Sequence, residues 1–303
     1  MIDLSVIVLS FNTRDVLRNC LLSLDEERAI CAYTLEIIVV DNSSSDGSVE
    51  MVSAEFPQCI LIANTENVGF SKGNNIGMAL AQGRYFLCLN SDTLVCSGAL
   101  GAMIQFMEAH PNAGAIGPML VGEDKKLQPS GRALPTAWRI FLGMTKLYRL
   151  WTTDIYLERG RDYAQVKEVG EISGAALCVR GEVYQKLGGF DENLWAFYED
   201  VDWCNRIGQA GYKIYYMPQA KIVHLWKRSS TRVPELVYRV GQNSLRYYFR
   251  KHRSAVEVVA VDAMLFLKET AAIIFALLRL NPDQVKFHLR MVANLFKPVP
   301  KPA

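Results

Sequence analysis

Through the first 120 residues, short apolar runs alternate with stretches of helical period. Leu4–Leu9 reads as a strand, and from Thr13 the apolar positions Val16, Leu17, Cys20, Leu21 and Leu24 recur on one helical face. Glu36–Val40 is a second strand candidate. It stops at the polar cluster Asp41-Asn42-Ser43-Ser44-Ser45-Asp46-Gly47, whose Ser and Asp residues suit a helix N-terminus. Ile60–Ala63, Tyr85–Leu89 and Gly114–Met119 read as further strands, with helices over Lys72–Ala81 and Ser97–Met107. Strands alternating with short helices predict an α/β fold, an open, mostly parallel sheet with helices on both faces. Such sheets bind ligands at the carboxyl ends of their strands. Here those ends carry Ser10-Phe11-Asn12, Asp41-Asn42 and Asn90-Ser91-Asp92.

From Gly131 to Gly170 no period is evident, and the segment reads as a long connection suited to a lid or to acceptor recognition. Order returns at Ile172–Val179, a small-residue strand, followed by helical turns over Glu182–Leu187 and Asp200–Ala210 and closing strands at Lys213–Met217 and Ala220–His224. Beyond Pro234 three helices are predicted, to about Arg253, to about Leu280, and from Pro282 to about Phe296. The expected division is a sheet domain over 1–233 and a helical extension over 234–303.

Half of the 303 residues are hydrophobic and 21% are charged, which excludes a disordered or low-complexity chain. The formal net charge of +2 conceals an asymmetry: residues 1–226 balance at −7, whereas 227–253 carry eight basic side chains against Glu235 alone. Seven scattered cysteines without CxxC spacing read as free thiols of a reducing compartment. Met1-Ile2-Asp3 runs straight into a strand without a basic leader, and the longest uncharged runs are shorter than a spanning helix. A cytoplasmic location is therefore expected.

Several short motifs carry chemistry. Asp92 in Asn90-Ser91-Asp92 could hold a hard divalent cation or simply cap the helix that follows. Asp41 could accept hydrogen bonds from a base or ribose, or belong to an ordinary polar turn. The glycines of Asn67-Val68-Gly69-Phe70-Ser71-Lys72-Gly73 allow close approach of backbone to a ligand, without the spacing of a nicotinamide site. In Tyr198-Glu199-Asp200-Val201-Asp202 three carboxylates crowd together, which can raise one pKa and poise a base, or can mark an acidic helix N-terminus. His224 ends a strand and is either structural or a ligand.

In succession these motifs, with Ser173-Gly174 and Gly189-Phe190-Asp191-Glu192, resemble the inverting glycosyltransferase family 2, of GT-A fold, and its rhamnosyltransferase-like branch. The resemblance spans about residues 3–250. It implies a nucleotide-sugar site at Ser10, Asn12, Asp41, Asn42, Asn67, Gly69, Asn90, Ser91 and Asp92. It implies Asp200, beside Glu199, as the catalytic base, an acceptor side at Ser173, Gly174 and Trp203, and Mn²⁺ or Mg²⁺ at Asp92. Asn90 stands where the family carries the first aspartate of Asp-x-Asp, and His224 could supply the missing ligand. The implied reaction transfers a sugar, L-rhamnose in this branch, from a nucleoside diphosphate sugar to a glycan or lipid-linked hydroxyl, with inversion.

Two rivals stand beside it. A non-catalytic nucleotide-sugar or glycan-binding protein would have no need of both Asp92 and the acidic cluster. A nucleotidyltransferase would carry a glycine-rich basic loop where Ser10-Phe11-Asn12-Thr13-Arg14 stands. The basic stripe of Lys227, Arg228, Arg232, Arg239, Arg246, Arg250, Lys251 and Arg253 lacks a nucleic-acid motif. With the apolar run that follows it, the stripe is expected to meet an anionic membrane at the cytoplasmic face. Packing or a homodimer through the C-terminal helices is the other reading.

Overall fold

The computed structural model describes residues 1–147, 162–225 and 234–298. The strands are β1 (Leu4–Ser10), β2 (Leu35–Asp41), β3 (Ile60–Ala63), β4 (Tyr85–Asn90), β5 (Thr93–Val95) and β6 (Ala113–Val121). They continue with β7 (Leu127–Gln128), β8 (Gly131–Arg132), β9 (Lys167–Glu168), β10 (Glu171–Ile172), β11 (Ala176–Arg180) and β12 (Lys213–His224). The helices are α1 (Arg14–Ile30), α2 (Ser48–Glu55), α3 (Phe70–Leu80), α4 (Ala99–Ala109) and α5 (Ala137–Thr145). After them come α6 (Gly181–Leu187), α7 (Glu199–Gln209), α8 (Pro234–His252), α9 (Ala255–Leu278) and α10 (Pro282–Leu295).

The chain forms two compact units. The first comprises Met1–Leu134, Leu157–Trp195 and Glu199–Thr231; the second comprises Pro135–Tyr156, Ala196–Tyr198 and Arg232–Ala303.

The first unit is built on one mixed sheet in the order β3-β2-β1-β4-β11-β6-β12-β5. β3, β2, β1 and β4 pair in parallel, β11 runs antiparallel between β4 and β6, and β12 pairs in parallel with β6. Six strands thus point one way, the mostly parallel sheet that the alternation predicts. Strand residues of alternate parity feed two cores. Val6 and Val8 meet Leu17, Leu21 and Leu24 of α1 and Met103 and Met107 of α4 on one face. Ile7, Ile38 and Val40 meet Met78 of α3 and Trp203 and Ile207 of α7 on the other. Glu27 on α1 is buried, and its carboxylate accepts from Gly98 N at 2.5 Å and Leu100 N at 3.0 Å, which caps α4.

Ile172–Val179 is not one strand: Ser173 and Gly174 make a turn between β10 and β11. The closing strands are one, β12, with an irregular register between Met217 and Lys221. Within the connection from Gly131 to Gly170, β8 pairs with β10, β9 pairs with β12, and Ala137–Thr145 forms α5; residues 148–161 lie outside the described ones.

In the second unit, the Ser244 hydroxyl donates to Ala196 O at 2.8 Å, and the rings of Tyr198 and Tyr248 lie 5.8 Å apart. Phe197 and Tyr198 both take left-handed backbone, with φ of 67° and 65°, a costly pair for non-glycine residues. The basic stripe is not one exposed face. Arg246 is buried and donates to Asp262 Oδ1 at 2.9 Å and Leu295 O at 2.6 Å, and Arg250 donates to Asp262 Oδ2 at 2.8 Å. An apolar helix holding an aspartate inward draws these guanidiniums inward with it. Lys227, Arg228 and Arg232 lie outside the described residues. No described helix is long and apolar enough to cross a membrane.

Candidate active site

Strand direction assembles the site. β1, β2 and β4 are in register and parallel, so Ser10, Asp41 and Asn90 end at one edge of the sheet. Because β11 is antiparallel to β4, with Ala176 opposite Leu89, the Ser173-Gly174 turn arrives at that same edge. β5 pairs with the end of β12, Thr93 opposite His224, which sets Asp92 beside His224.

The loops after β1 and β2 clip to each other. Asn12, in left-handed backbone with φ 53°, receives Ser45 N on its Oδ1 at 2.8 Å, and its own N donates to Ser44 Oγ at 2.8 Å. Asp41 is buried and accepts from Ser44 N at 2.7 Å and Ser44 Oγ at 2.6 Å. Asn42 donates to Gly69 O at 3.0 Å and to Asn67 Oδ1 at 3.3 Å, which ties the β2 end to the start of α3. The hydroxyls of Ser10, Thr13 and Ser91 form a buried chain with spacings of 3.1 and 2.9 Å.

The glycines expected to admit a ligand admit protein instead. A Cβ on Gly69 would lie 2.6 Å from the Trp195 indole, one on Gly73 2.5 Å from Leu9, and one on Gly77 2.5 Å from Ile7. Gly69 also has φ of 89°, so a side chain there would be strained in any case. Trp195 itself, which no sequence motif singled out, keeps 43% of its surface exposed.

Asp92 does not cap α4: β5 intervenes, and Glu27 already takes the first amides of that helix. Its Oδ1 instead lies 3.5 Å from His224 Nε2, with both residues buried. Gln128 Nε2 donates to His224 O at 2.8 Å, so its Oε1 is the atom 2.9 Å from His224 Nδ1. Oε1 only accepts, hence Nδ1 carries a proton, and in the neutral imidazole Nε2 presents a lone pair to the Asp92 carboxylate. Two acceptors facing each other call for a proton or a cation between them. A carboxylate and an imidazole oriented through its other nitrogen are residue types that would hold a divalent ion. Among the described residues, no group of three or more His, Cys, Asp or Glu could hold a metal.

Asp200 Oδ2 accepts from Gly174 N at 2.7 Å and Oδ1 from Val201 N at 2.8 Å, which fixes the carboxylate plane and leaves each oxygen a free lone pair. Glu199 is buried with Oε2 unpartnered. Burial, and then the neighbouring Asp200 charge, holds its carboxyl well above the ordinary range. Asp202 is buried and paired with Arg206 at 2.8 Å, a structural role. Trp203, expected on the acceptor side, is fully buried with its ring centroid 4.7 Å from that of Phe190, and belongs to the core. Burial pushes the Cys20 and Cys178 thiols up to about 12, which makes these two poor nucleophiles.

The raised Glu199 value has a measurable sign. Unfolded, the residue ionises near pH ~4.3, whereas the folded protein keeps the proton to higher pH. In that interval the native state binds the extra proton, so its stability falls as pH rises, by about 1.4 kcal/mol per pH unit, until the folded value is passed. Glu199→Gln should remove this slope. Urea denaturation of both proteins between about pH 5 and about pH 8 checks it, and parallel curves would contradict a protonated Glu199.

Residues 5–169, more than half of the chain, match the family described as Glycosyl transferase family 2. The chain belongs to that family. This glycosyltransferase is 29% identical over 230 residues to N-acetylglucosaminyl-diphospho-decaprenol L-rhamnosyltransferase of Mycobacterium tuberculosis, covering 70% of the chain and 72% of the relative. It is 22% identical over 246 residues to dTDP-rhamnosyl transferase RfbF of Shigella flexneri, covering 80% and 76%. Among solved structures it resembles a mannosyltransferase from Pyrobaculum calidifontis in complex with GDP-Man and Mn²⁺, at 17% identity and a TM-score of 0.55 over 96% of the chain and 74% of that protein. S. aureus TarS 1–349 in complex with UDP gives 15% identity and a TM-score of 0.54, over 97% and 89%. These likenesses identify the fold of the glycosyltransferase as GT-A, as the motif order implies.

Proposed function

We propose that this glycosyltransferase moves L-rhamnose from deoxythymidine diphosphate-rhamnose to a hydroxyl of a lipid-linked or polysaccharide acceptor of the cell surface, with inversion, at the cytoplasmic face of a membrane. The observation that carries the reaction type is the Asp200 carboxylate. It is oriented by two backbone amides, its oxygens keep free lone pairs, and it stands beside an acid that burial keeps protonated. With the Glu199 carboxyl pushed well above its ordinary range by burial, Asp200 is the carboxylate that would take the acceptor hydroxyl's proton as that oxygen attacks the anomeric carbon from the face opposite the leaving diphosphate.

Asp92 and His224 would hold Mn²⁺ or Mg²⁺. Bound there, the ion would supply charge neutralisation for the leaving diphosphate. Asp41, Asn42 and Asn12 would shape the nucleotide end of the site, with Ser10, Asn67, Gly69, Asn90 and Ser91 holding that edge in place. Ser173 and Gly174 would border the acceptor. The choice of rhamnose and deoxythymidine follows the names of the two relatives.

Thermal unfolding with nucleotides tests the donor. Deoxythymidine diphosphate with Mn²⁺ should stabilise the protein by ~2.7 kcal/mol at a hundredfold excess over its dissociation constant. Uridine diphosphate should do less. An equal or larger shift with uridine diphosphate would remove the rhamnosyl reading and leave the transferase.

A further inference from the structure

Helix α9 is built inside out. A surface helix ordinarily turns its apolar residues toward the core and its charges toward water. Within one half of the circumference of α9 stand Val259, Phe266, Leu267, Ile274, Phe275 and Leu278, all exposed, with Leu278 at 77%. Asp262 and Glu269 point the other way, and all three acids of the helix are engaged. Glu257 accepts from Ala137 N at 3.2 Å, and Asp262 accepts from Arg246 and Arg250. Glu269, fully buried, accepts from Tyr238 at 2.5 Å and Gln242 at 2.9 Å and lies 2.6 Å from His288 Nδ1.

What surrounds the apolar side is positive. Lys268, Arg279, Lys286 and Lys297 are exposed, whereas Asp283 is the one exposed acid among the described residues of α9 and α10. We infer that the outward side of α9, with the α9–α10 turn, docks on an anionic lipid bilayer and lies along its surface. The apolar side chains enter the headgroup boundary while the cations meet lipid phosphates. A two-fold contact between copies would set the same cations against one another, which the charge pattern disfavours. The inference deepens the proposal of an acceptor at a membrane, and rests on that reading only for its purpose.

Flotation of the full-length protein with vesicles of phosphatidylglycerol and phosphatidylcholine tests it. Wild type should float with these vesicles at low salt, less at high salt, and less with phosphatidylcholine alone. A Leu267→Ser, Leu278→Ser variant should lose binding at least tenfold while keeping its melting temperature, since both positions are already in water. Lys268→Gln with Arg279→Gln should erase the preference for anionic vesicles. Wild type that does not float, or a serine variant that floats as well as wild type, overturns the surface. So does a serine variant whose only change is from dimer to monomer. The deoxythymidine diphosphate thermal shift, measured on the same samples without lipid, separates the two readings: its absence with flotation intact strikes the donor assignment alone.

Discussion

Asp200→Asn is expected to lower turnover by about 10²–10⁴-fold, the usual worth of a positioned general base, or about 2.7–5.5 kcal/mol of barrier. The substitution keeps the shape of the side chain and leaves an amide oxygen to accept from Gly174 N or Val201 N, so the local backbone should hold. The discriminating result is a split: the nucleotide-induced thermal shift survives while single-turnover transfer collapses. Retention of more than a tenth of the wild-type rate would show that another group takes the proton. Glu199 would then be the first suspect, and the pH-stability slope described above reports on it separately.

Asp92→Ala should abolish the Mn²⁺-dependent part of nucleotide binding altogether. Titration calorimetry of deoxythymidine diphosphate with and without Mn²⁺ reads this directly. Gln128→Ala provides the graded control. It removes the partner that orients His224, and an outer partner of a metal ligand is worth ~10–100-fold in metal affinity. Undiminished Mn²⁺ dependence in the Asp92 variant would leave the Asp92–His224 contact as a protonated ion pair.

Most of the sheet was legible because β1, β2 and β4 are apolar runs closed by polar residues, and those closing residues, Ser10, Asp41 and Asn90, line the candidate site. What escaped was set at a distance. β5 is three residues long and exists because the end of β12 pairs with it, so no local period marks it. The reversal of β11, which delivers Gly174 to Asp200, depends on pairing partners and not on composition. Glu27 as the cap of α4 lies about seventy residues from the amides it serves, so Asp92 looked like the nearer candidate. Which members of the basic stripe turn inward was not legible, because a charge count does not say which side of a helix a charge faces. The signal available was in α9: Asp262 and Glu269 stand one heptad apart beside the buried Val261 and Leu265, which foretold cationic and polar partners brought inward.

The helical unit holds residues 196–198, and those three residues are followed directly by Glu199 and Asp200. The consequence is one of modularity. Although α8, α9 and α10 occupy the end of the chain, they are not a detachable module. Deleting them would remove Tyr248 from beside Tyr198 and the Ser244 donor from Ala196, at the two left-handed residues that precede Glu199 and the proposed base. Point substitutions on the outward side of α9 can therefore separate localisation from catalysis, whereas truncation and domain exchange cannot. Recombination among relatives would have to carry the segment before α7 together with the C-terminal helices.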